Sequence, residues 1–204
     1  QIIKESQKIM ILSSPQEYST DPKRLQEINK QHPRINNVKD IRENGQIQIF
    51  QSAYRGSFSN IIKDSIRNAS IGRKVLLAQM MKGGVKQGIN NPVRLCGNLL
   101  WLRPSNSYDQ FDENQIKNDK NILFSIEESI IELWEFCKKQ LLSGEQDQMI
   151  LDEIFKAVEL GIVKENDLIS TLENRSISGD VILTGTAIPK KFLLMADQVT
   201  ELRS

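Results

Sequence analysis

The sequence predicts an α/β fold with a mainly parallel central sheet, and three observations support this prediction. Short apolar runs recur from Gly45 to the end of the chain. Segments with apolar side chains at helical spacing separate these runs, as in successive βαβ units. Residues 1–45 differ, because they are polar and rich in Gln, Asn, Lys and Pro. We therefore predict a polar N-terminal extension over residues 1–45 and one α/β domain over residues 46–204.

The predicted strands are short runs of apolar side chains bounded by polar or turn-forming residues. They cover residues 47–50, 75–80, 99–102, 149–151, 181–184 and 199–202. In an open parallel sheet, ligands bind at the carboxyl ends of the strands. The segments expected at those ends are residues 51–59, 81–88, 152–155 and 185–189.

The predicted helices follow from apolar residues at three- and four-residue spacing. The strongest pattern covers residues 121–142 and stops at Gly144, and an earlier one covers residues 57–71 and stops at Gly72. Shorter helical candidates cover residues 153–160, 167–172 and 190–196. Residues 103–119 are polar and turn-rich, which predicts a long loop.

Composition argues against several classes of function. The 27 basic and 26 acidic residues nearly cancel, so the electrostatic field that attracts nucleic acids or anionic membranes is not expected. No run approaches the roughly 18 apolar residues of a membrane span, and no signal-peptide pattern opens the chain, which predicts a cytoplasmic protein. Cys96 and Cys137 lack a CxxC spacing and His32 is the only histidine, so we expect two packed thiols and a surface imidazole, without a zinc site.

The loop after the first predicted strand reads SAYRGSFSN. A phosphate loop needs glycines that let backbone N–H groups point inward, a lysine for the phosphates, and a Ser or Thr that holds magnesium. Here the curl depends on Gly56, while Ser57 and Phe58 take the lysine and magnesium-ligand positions. Arg55 and Ser59 offer a partial replacement, since a guanidinium binds phosphate well and a helix N-terminus carries a favourable dipole. An ordinary strand-to-helix turn is the alternative.

Three other strand ends carry polar residues. MILDEIF is typical of a Walker-B-type element, in which Asp152 would hold a magnesium-bound water and Glu153 would orient a substrate. An acidic helix N-cap at Asp152 is the alternative. MKGGVKQG places Lys82 where its ammonium group and nearby N–H groups can meet an anion, and LTGTAIP ends a strand with Thr184 and Gly185. Plain loops are equally compatible with both of these segments.

The order and spacing of these segments resemble the P-loop type of ATP:corrinoid adenosyltransferases. GRKVLLAQMMKGG is similar to the family's second strand and KG loop, MILDEI to its VLDE strand, and VILTGTAIPKKFLLMADQVTELR to its closing TGR…ADLVTEM segment. The resemblance implies a three-layer P-loop NTPase fold of the RecA-like kind, a homodimer, and transfer of the adenosyl group of ATP to the cobalt of a reduced corrinoid. Because the reduced cobalt is itself the nucleophile, the protein would supply placement, charge neutralisation and a dry site.

The same resemblance implies the ligands and the residues of the site. The ligands would be ATP with magnesium and a corrinoid substrate, and the catalytic residues would be Asp152 and Glu153, with Asp152 as the metal ligand if magnesium binds. The positions that would contact the nucleotide are Ser52, Arg55, Gly56, Ser57, Phe58, Ser59, Lys82, Gly83, Thr184, Gly185 and Thr186.

The departures from the family's pattern concentrate in the phosphate loop. The family's loop reads close to TGNGKGKTT, and the same positions here read QSAYRGSFS, so that Ser57 and Phe58 replace the lysine and the magnesium threonine. Losing the lysine removes a charge-assisted contact of about 1.5–3 kcal/mol. The TGRG turn loses its cation, and the family's aromatic segment that helps lift the lower ligand off cobalt has no clear counterpart, although Tyr108 and Phe111 lie in the corresponding region. We therefore expect poor ATP binding by the family's route.

Two hypotheses remain open at this point. One is an adenosyltransferase-like enzyme that grips triphosphate by altered means, through Arg55, Arg73, Lys82 and backbone N–H groups. The other is a non-catalytic corrinoid- or protein-binding member of the same fold that no longer binds ATP. The fold supports both hypotheses, so the fold alone does not decide between them.

Overall fold

The computed structural model describes residues 44–56, 58–106 and 120–202, which form seven strands and five helices. The strands are β1 (Ile47–Ser52), β2 (Val75–Gln79), β3 (Val93–Leu95), β4 (Leu99–Leu102), β5 (Gln148–Asp152), β6 (Asp180–Gly185) and β7 (Gln198–Leu202). The helices are α1 (Ser59–Ser70), α2 (Lys120–Ser143), α3 (Ile154–Glu159), α4 (Glu165–Glu173) and α5 (Lys190–Met195). Several features of the sequence lie outside the described residues. They are the segment 1–43, which includes His32, and the single residues Ser57, Tyr108 and Phe111.

The strands form one sheet in the order β3-β4-β2-β5-β6-β1-β7. Neighbouring strands are parallel except for β3 and β4, so the prediction of a mainly parallel α/β sheet is confirmed. β3 was not predicted, because it has only three residues and is an exposed edge strand without an apolar run. The turn between β3 and β4 uses left-handed backbone at Cys96 (φ 52°) and Gly97 (φ 74°).

Two hydrophobic cores lie on opposite faces of the sheet. Successive side chains of a strand point to opposite faces, and β2 is buried along its whole length. Leu76 and Ala78 pack in one core with residues of α2, α3, α4 and α5. Val75 and Leu77 pack in the other with residues of α1. The domain is therefore layered, with helices covering both faces of the sheet.

The helices match their predictions closely. α2 ends at Gly144, whose φ of 69° allows the chain to leave the helix in a left-handed turn. Cys137 of α2 is fully buried, which confirms that prediction, but Cys96 is exposed on the unpredicted β3–β4 turn, so the prediction of a second packed thiol is wrong. None of the helices in the described ranges is long and apolar enough to cross a membrane.

Strand register places a line of polar residues across the carboxyl ends of four strands. Gln79, the last residue of β2, lies beside Asp152, the last residue of β5. By the same register Arg103, which follows β4, comes next to Gln79, and Thr184 of β6 comes next to Asp152. We call these four residues the polar row.

Candidate functional site

The carboxylate of Asp152 is at the centre of the polar row. Gln79 Nε2 donates a hydrogen bond to Asp152 Oδ2 at 3.0 Å, and Thr184 Oγ1 donates one to Asp152 Oδ1 at 2.9 Å. The three side chains are buried, and only 3% of Asp152 is exposed. Because both carboxylate oxygens accept hydrogen bonds from buried donors, the side chain is held in one orientation.

Opposing influences act on the charge of Asp152. Burial raises the pKa of Asp152 above its ordinary value, and the negative charge of Glu153 acts in the same direction. The hydrogen bonds from Gln79 and Thr184 and the positive charge of Lys82 act against burial and lower the pKa. The net direction is upward, so this carboxyl group takes up a proton more readily than an exposed aspartate does.

Glu153 joins the row to the loop after β1. Its backbone has a left-handed conformation (φ 58°), and its N–H donates to Thr184 Oγ1 at 2.7 Å. Its carboxylate accepts two hydrogen bonds from Arg55, from Nε at 3.1 Å and from Nη2 at 3.0 Å. Only 4% of the Glu153 side chain is exposed, compared with 38% for Arg55. The pair is therefore a two-pronged ion pair whose acid is buried and whose base reaches solvent.

The interpretation of Asp152 as a helix N-cap is wrong. The residue that precedes α3 is Glu153, and no side chain makes a capping hydrogen bond at that helix end. The oxygens of Asp152 are directed instead to Gln79 and Thr184.

In the described part of the loop after β1, a hydrogen bond and core packing hold residues in place. Gly56 has a φ of 79°, which supplies the predicted curl. Ser52 is buried, and its hydroxyl oxygen accepts the N–H of Tyr54 at 3.3 Å. Phe58 is only 2% exposed and packs with Ile61 in the core beneath α1. An aromatic side chain thus occupies the start of the helix, where a phosphate loop would present a hydroxyl to the metal.

Arg103 stands at the other end of the row. Its Nε donates to Gln79 Oε1 at 2.9 Å, and Trp101 Nε1 donates to the same oxygen at 3.0 Å. The guanidinium carbon lies 5.4 Å from the centre of the Trp101 ring. Gln79, Trp101 and Arg103 were not predicted as site residues. A usable signal was present, since Gln79 ends the otherwise apolar strand VLLAQ and Arg103 directly follows LLWL.

The other predicted site residues at this edge have identifiable positions. Lys82 is half-buried and Gly83 is buried in the loop after β2. Gly185 ends β6, and a Cβ there would lie 2.7 Å from Phe155 Cβ, so this position needs a glycine. The carbonyl of Thr186 accepts a hydrogen bond from Gln51 Nε2 at 3.1 Å. Ser59 is exposed at the first position of α1.

The proposed role of Arg73 in gripping triphosphate is wrong. Arg73 precedes β2, and its Nη2 contacts the Asp180 carboxylate at 2.7 Å and the Asp147 carbonyl at 2.9 Å. Both partners lie at the amino ends of their strands, on the edge of the sheet opposite the polar row.

The residues in the described ranges do not fit a magnesium ion in the way that the resemblance implies. No group of three His, Cys, Asp or Glu side chains suited to a metal occurs among them. The carboxylate of Asp152 is enclosed by two donors, and that of Glu153 is paired with Arg55. Phe58, at the position of the magnesium threonine, is part of the core.

Comparisons with known proteins give the following matches. A family model described as ATP:corrinoid adenosyltransferase BtuR/CobO/CobP matches residues 43–204. The chain is 25% identical over 190 residues to the corrinoid adenosyltransferase of Escherichia coli (strain K12), which covers 93% of this chain and 90% of that protein. The corrinoid adenosyltransferase of Escherichia coli O6:H1 (strain CFT073) matches with the same identity and coverage. An uncharacterized protein of Nostoc sp. (strain PCC 7120) is 30% identical over 70 residues, 34% of this chain and 18% of that protein.

Proposed function

The chain belongs to the ATP:corrinoid adenosyltransferase family, and from this premise we propose that it acts on a corrinoid in cobalamin metabolism as an adenosyltransferase-like protein. We propose further that its transfer of the adenosyl group from ATP is lost or impaired. Family membership supports the corrinoid, and the geometry of the loop after β1 supports the impairment.

We also propose that the fold is the RecA-like form of the three-layer P-loop NTPase fold. Three features support this proposal: a largely parallel sheet with helices on both faces, a left-handed Gly56 between β1 and α1, and paired acids at the end of β5. Ligands of such sheets bind at the carboxyl edge, where the polar row lies.

The observation that carries the proposed impairment is the ion pair between Arg55 and Glu153. Arg55 is the cation that the loop retains, and its contacts with Glu153 at 3.0 and 3.1 Å direct it toward a buried carboxylate. A phosphate group would have to compete with that carboxylate for the same guanidinium. Neutral Ser57 and buried Phe58 offer no second anchor, so the loop binds triphosphate weakly.

The chain's own residues would still serve a corrinoid reaction by positioning. Gln79 and Thr184 hold the buried Asp152 carboxylate in one orientation at the carboxyl edge of the sheet, where it would position a ligand. Adenosyl transfer to a reduced cobalt needs no nucleophile from the protein, and a placement role is consistent with this arrangement.

A second candidate function is a non-catalytic corrinoid- or protein-binding member of the family that no longer binds ATP. The burial of Phe58 favours it, because that side chain cannot leave the core without exposing apolar surface. The two candidates differ in one measurable property, which is the response of the protein to ATP.

We propose a thermal-shift titration with magnesium and ATP, with and without a corrinoid, followed by an assay for conversion of a Co(I) corrinoid to its adenosyl form. For a site that is at most half saturated, binding adds no more than about 0.4 kcal/mol, which corresponds to roughly 1–2 °C. We expect a shift within that limit at millimolar ATP and slow or absent conversion. A larger shift together with rapid conversion contradicts the impairment, and measurable slow conversion excludes the non-catalytic candidate.

The variant Ser57→Lys sharpens this experiment, because it restores the family's loop lysine without touching the core residue Phe58. We expect it to raise the affinity for ATP by about tenfold or more, since a charge-assisted contact contributes about 1.5–3 kcal/mol. Ser70→Lys adds the same charge at the exposed last residue of α1, at the opposite end of the helix from the loop, and is the matched control. Equal affinities for the two variants would mean that the loop does not face the nucleotide.

The assembly and location of the protein are further proposals that rest on family membership. We propose a homodimer in the cytoplasm, with a corrinoid and, weakly, a nucleotide as ligands. Sedimentation equilibrium of the purified chain tests the homodimer, and a monomer at micromolar concentration would contradict it.

A further inference from the structure

Arg103 has a preorganised guanidinium group at the carboxyl edge of the sheet. Its Nε is fixed on Gln79 Oε1, and its central carbon lies 5.4 Å from the centre of the Trp101 ring. Gln79 is itself 1% exposed and donates its amide N–H to Asp152. A guanidinium held in this way loses little conformational entropy when a ligand binds to it.

The charge of Arg103 is not neutralised by an ion pair within the described ranges. The cations that form ion pairs with acidic side chains in those ranges include Arg55, Arg73, Lys138, Lys156 and Lys191. The contacts of Arg103 engage its Nε with a neutral amide and leave its two terminal nitrogens without an acceptor in that part of the chain. Lys82, which follows β2, adds a second positive charge near Asp152.

From these observations we infer that the ends of β2 and β4 form an oxyanion site in which Arg103 and Lys82 bind a carboxylate or phosphate group. The planar fork of Arg103 matches both oxyanions, and Lys82 supplies a point charge. This inference deepens the proposed function and rests on it for the identity of the molecule, since a corrinoid can carry side-chain carboxylates and a nucleotide carries phosphates. The bound anion would then lie at the ends of β2 and β4, and not at the loop after β1.

The experiment is calorimetric titration of the full chain at low ionic strength with two separate probes, tripolyphosphate and a corrinoid that bears free side-chain carboxylates. Arg103→Gln is compared with Arg94→Gln, which removes an exposed arginine of β3. We expect Arg103→Gln to weaken binding of at least one probe by about tenfold or more and Arg94→Gln by less than about twofold. Equal effects of the two variants, or no binding of either probe, would overturn the inference.

Two further variants protect the test against a folding defect. Arg103→Lys keeps the charge but loses the fork, and we expect it to bind more weakly than wild type and more tightly than Arg103→Gln. Lys82→Gln leaves the Arg103 contacts intact and is expected to weaken the same probe severalfold. If both variants bind as wild type does, the inference fails even where Arg103→Gln does not fold.

The two probes separate this inference from the proposed function. Dependence of corrinoid binding on Arg103 identifies a carboxylate source, and dependence of tripolyphosphate binding identifies a phosphate source. If the corrinoid binds equally to wild type and to Arg103→Gln while tripolyphosphate does not bind, the inference fails and the function stands. If the corrinoid does not bind but tripolyphosphate requires Arg103, the function fails and the site stands.

Discussion

The loop after β1 and the ends of β2 and β4 lie at the same edge of the sheet but treat positive charge in opposite ways. In the loop, Arg55 is held by the carboxylate of Glu153, and Phe58 closes the start of α1 against the core. At the other region, Arg103 is held by the neutral amide of Gln79. A cation oriented by a neutral partner keeps its charge for a ligand, whereas one oriented by an acid does not. The part of this edge that would attract anions is therefore the ends of β2 and β4, and not the loop between β1 and α1.

The largest loss of stability is expected from Phe58→Thr. This variant tests whether core packing of the Phe58 side chain closes the loop after β1. Phe58 is 2% exposed and packs in the core with Ile61. Truncation of a buried phenylalanine costs about 3–5 kcal/mol, so we expect a loss of that size in the free energy of unfolding. Urea unfolding at neutral pH measures it.

Phe124→Thr is the control for this measurement. Phe124 is 67% exposed on α2, so its substitution should cost less than about 1 kcal/mol. If the two variants lose similar stability, Phe58 is not a core residue in solution. Core packing would then not close the loop after β1, and the loop would no longer differ in this respect from the ends of β2 and β4.

The next largest effect is expected from the ion pair between Arg55 and Glu153. The losses of stability on removing one partner or the other should differ. Arg55→Met leaves the buried carboxylate of Glu153 without its ion-pair partner, and a buried charged group that loses a partner costs about 2–3 kcal/mol. Glu153→Gln leaves a partly exposed arginine that water can solvate, so we expect a cost of about 1 kcal/mol. The free energies of unfolding of the two variants give the comparison directly.

The opposite order of these two costs would contradict the geometry of the pair. It would mean that Arg55, and not Glu153, depends on the contact for its solvation. Equal and small costs would mean that the pair is open in solution, and Glu153 would then not compete with a phosphate group for Arg55.

The parts of this comparison that depend on local sequence patterns were predictable from the sequence. The parts that depend on contacts between residues far apart in the chain were not. Apolar periodicity acts over a few residues, so the strands and helices that carry it were predicted, whereas β3 is too short and exposed to carry any. The loss of the loop lysine and magnesium ligand was visible at Ser57 and Phe58. The pairing of Arg55 with Glu153 joins residues 98 positions apart, and the contact of Arg103 with Gln79 depends on strand register. Neither a partner at that separation nor a register is encoded in a local pattern.

The pH dependence of stability is expected to be a smaller effect, because hydrogen bonds and Lys82 partly offset the burial of Asp152. The net direction raises its pKa in the folded state above the ordinary value of an exposed aspartate, which is 3.8. Between these two values the folded state binds more protons than the unfolded state, so this residue's contribution to the free energy of unfolding falls as pH rises. We therefore expect wild type to gain stability relative to Asp152→Asn as pH is lowered from 7 toward 4, measured by urea unfolding at several pH values.

Gln79→Met extends this measurement to the polar row itself. The substitution removes the donor whose hydrogen bond lowers the pKa of Asp152, so the folded-state pKa should rise further. The pH window in which stability changes should then reach higher values than in wild type, even though the variant is less stable overall. A window that does not move would mean that Gln79 does not act on Asp152. Gln79 also orients Arg103 through its amide oxygen. The same result would therefore mean that Asp152 and Arg103 are not linked through this side chain.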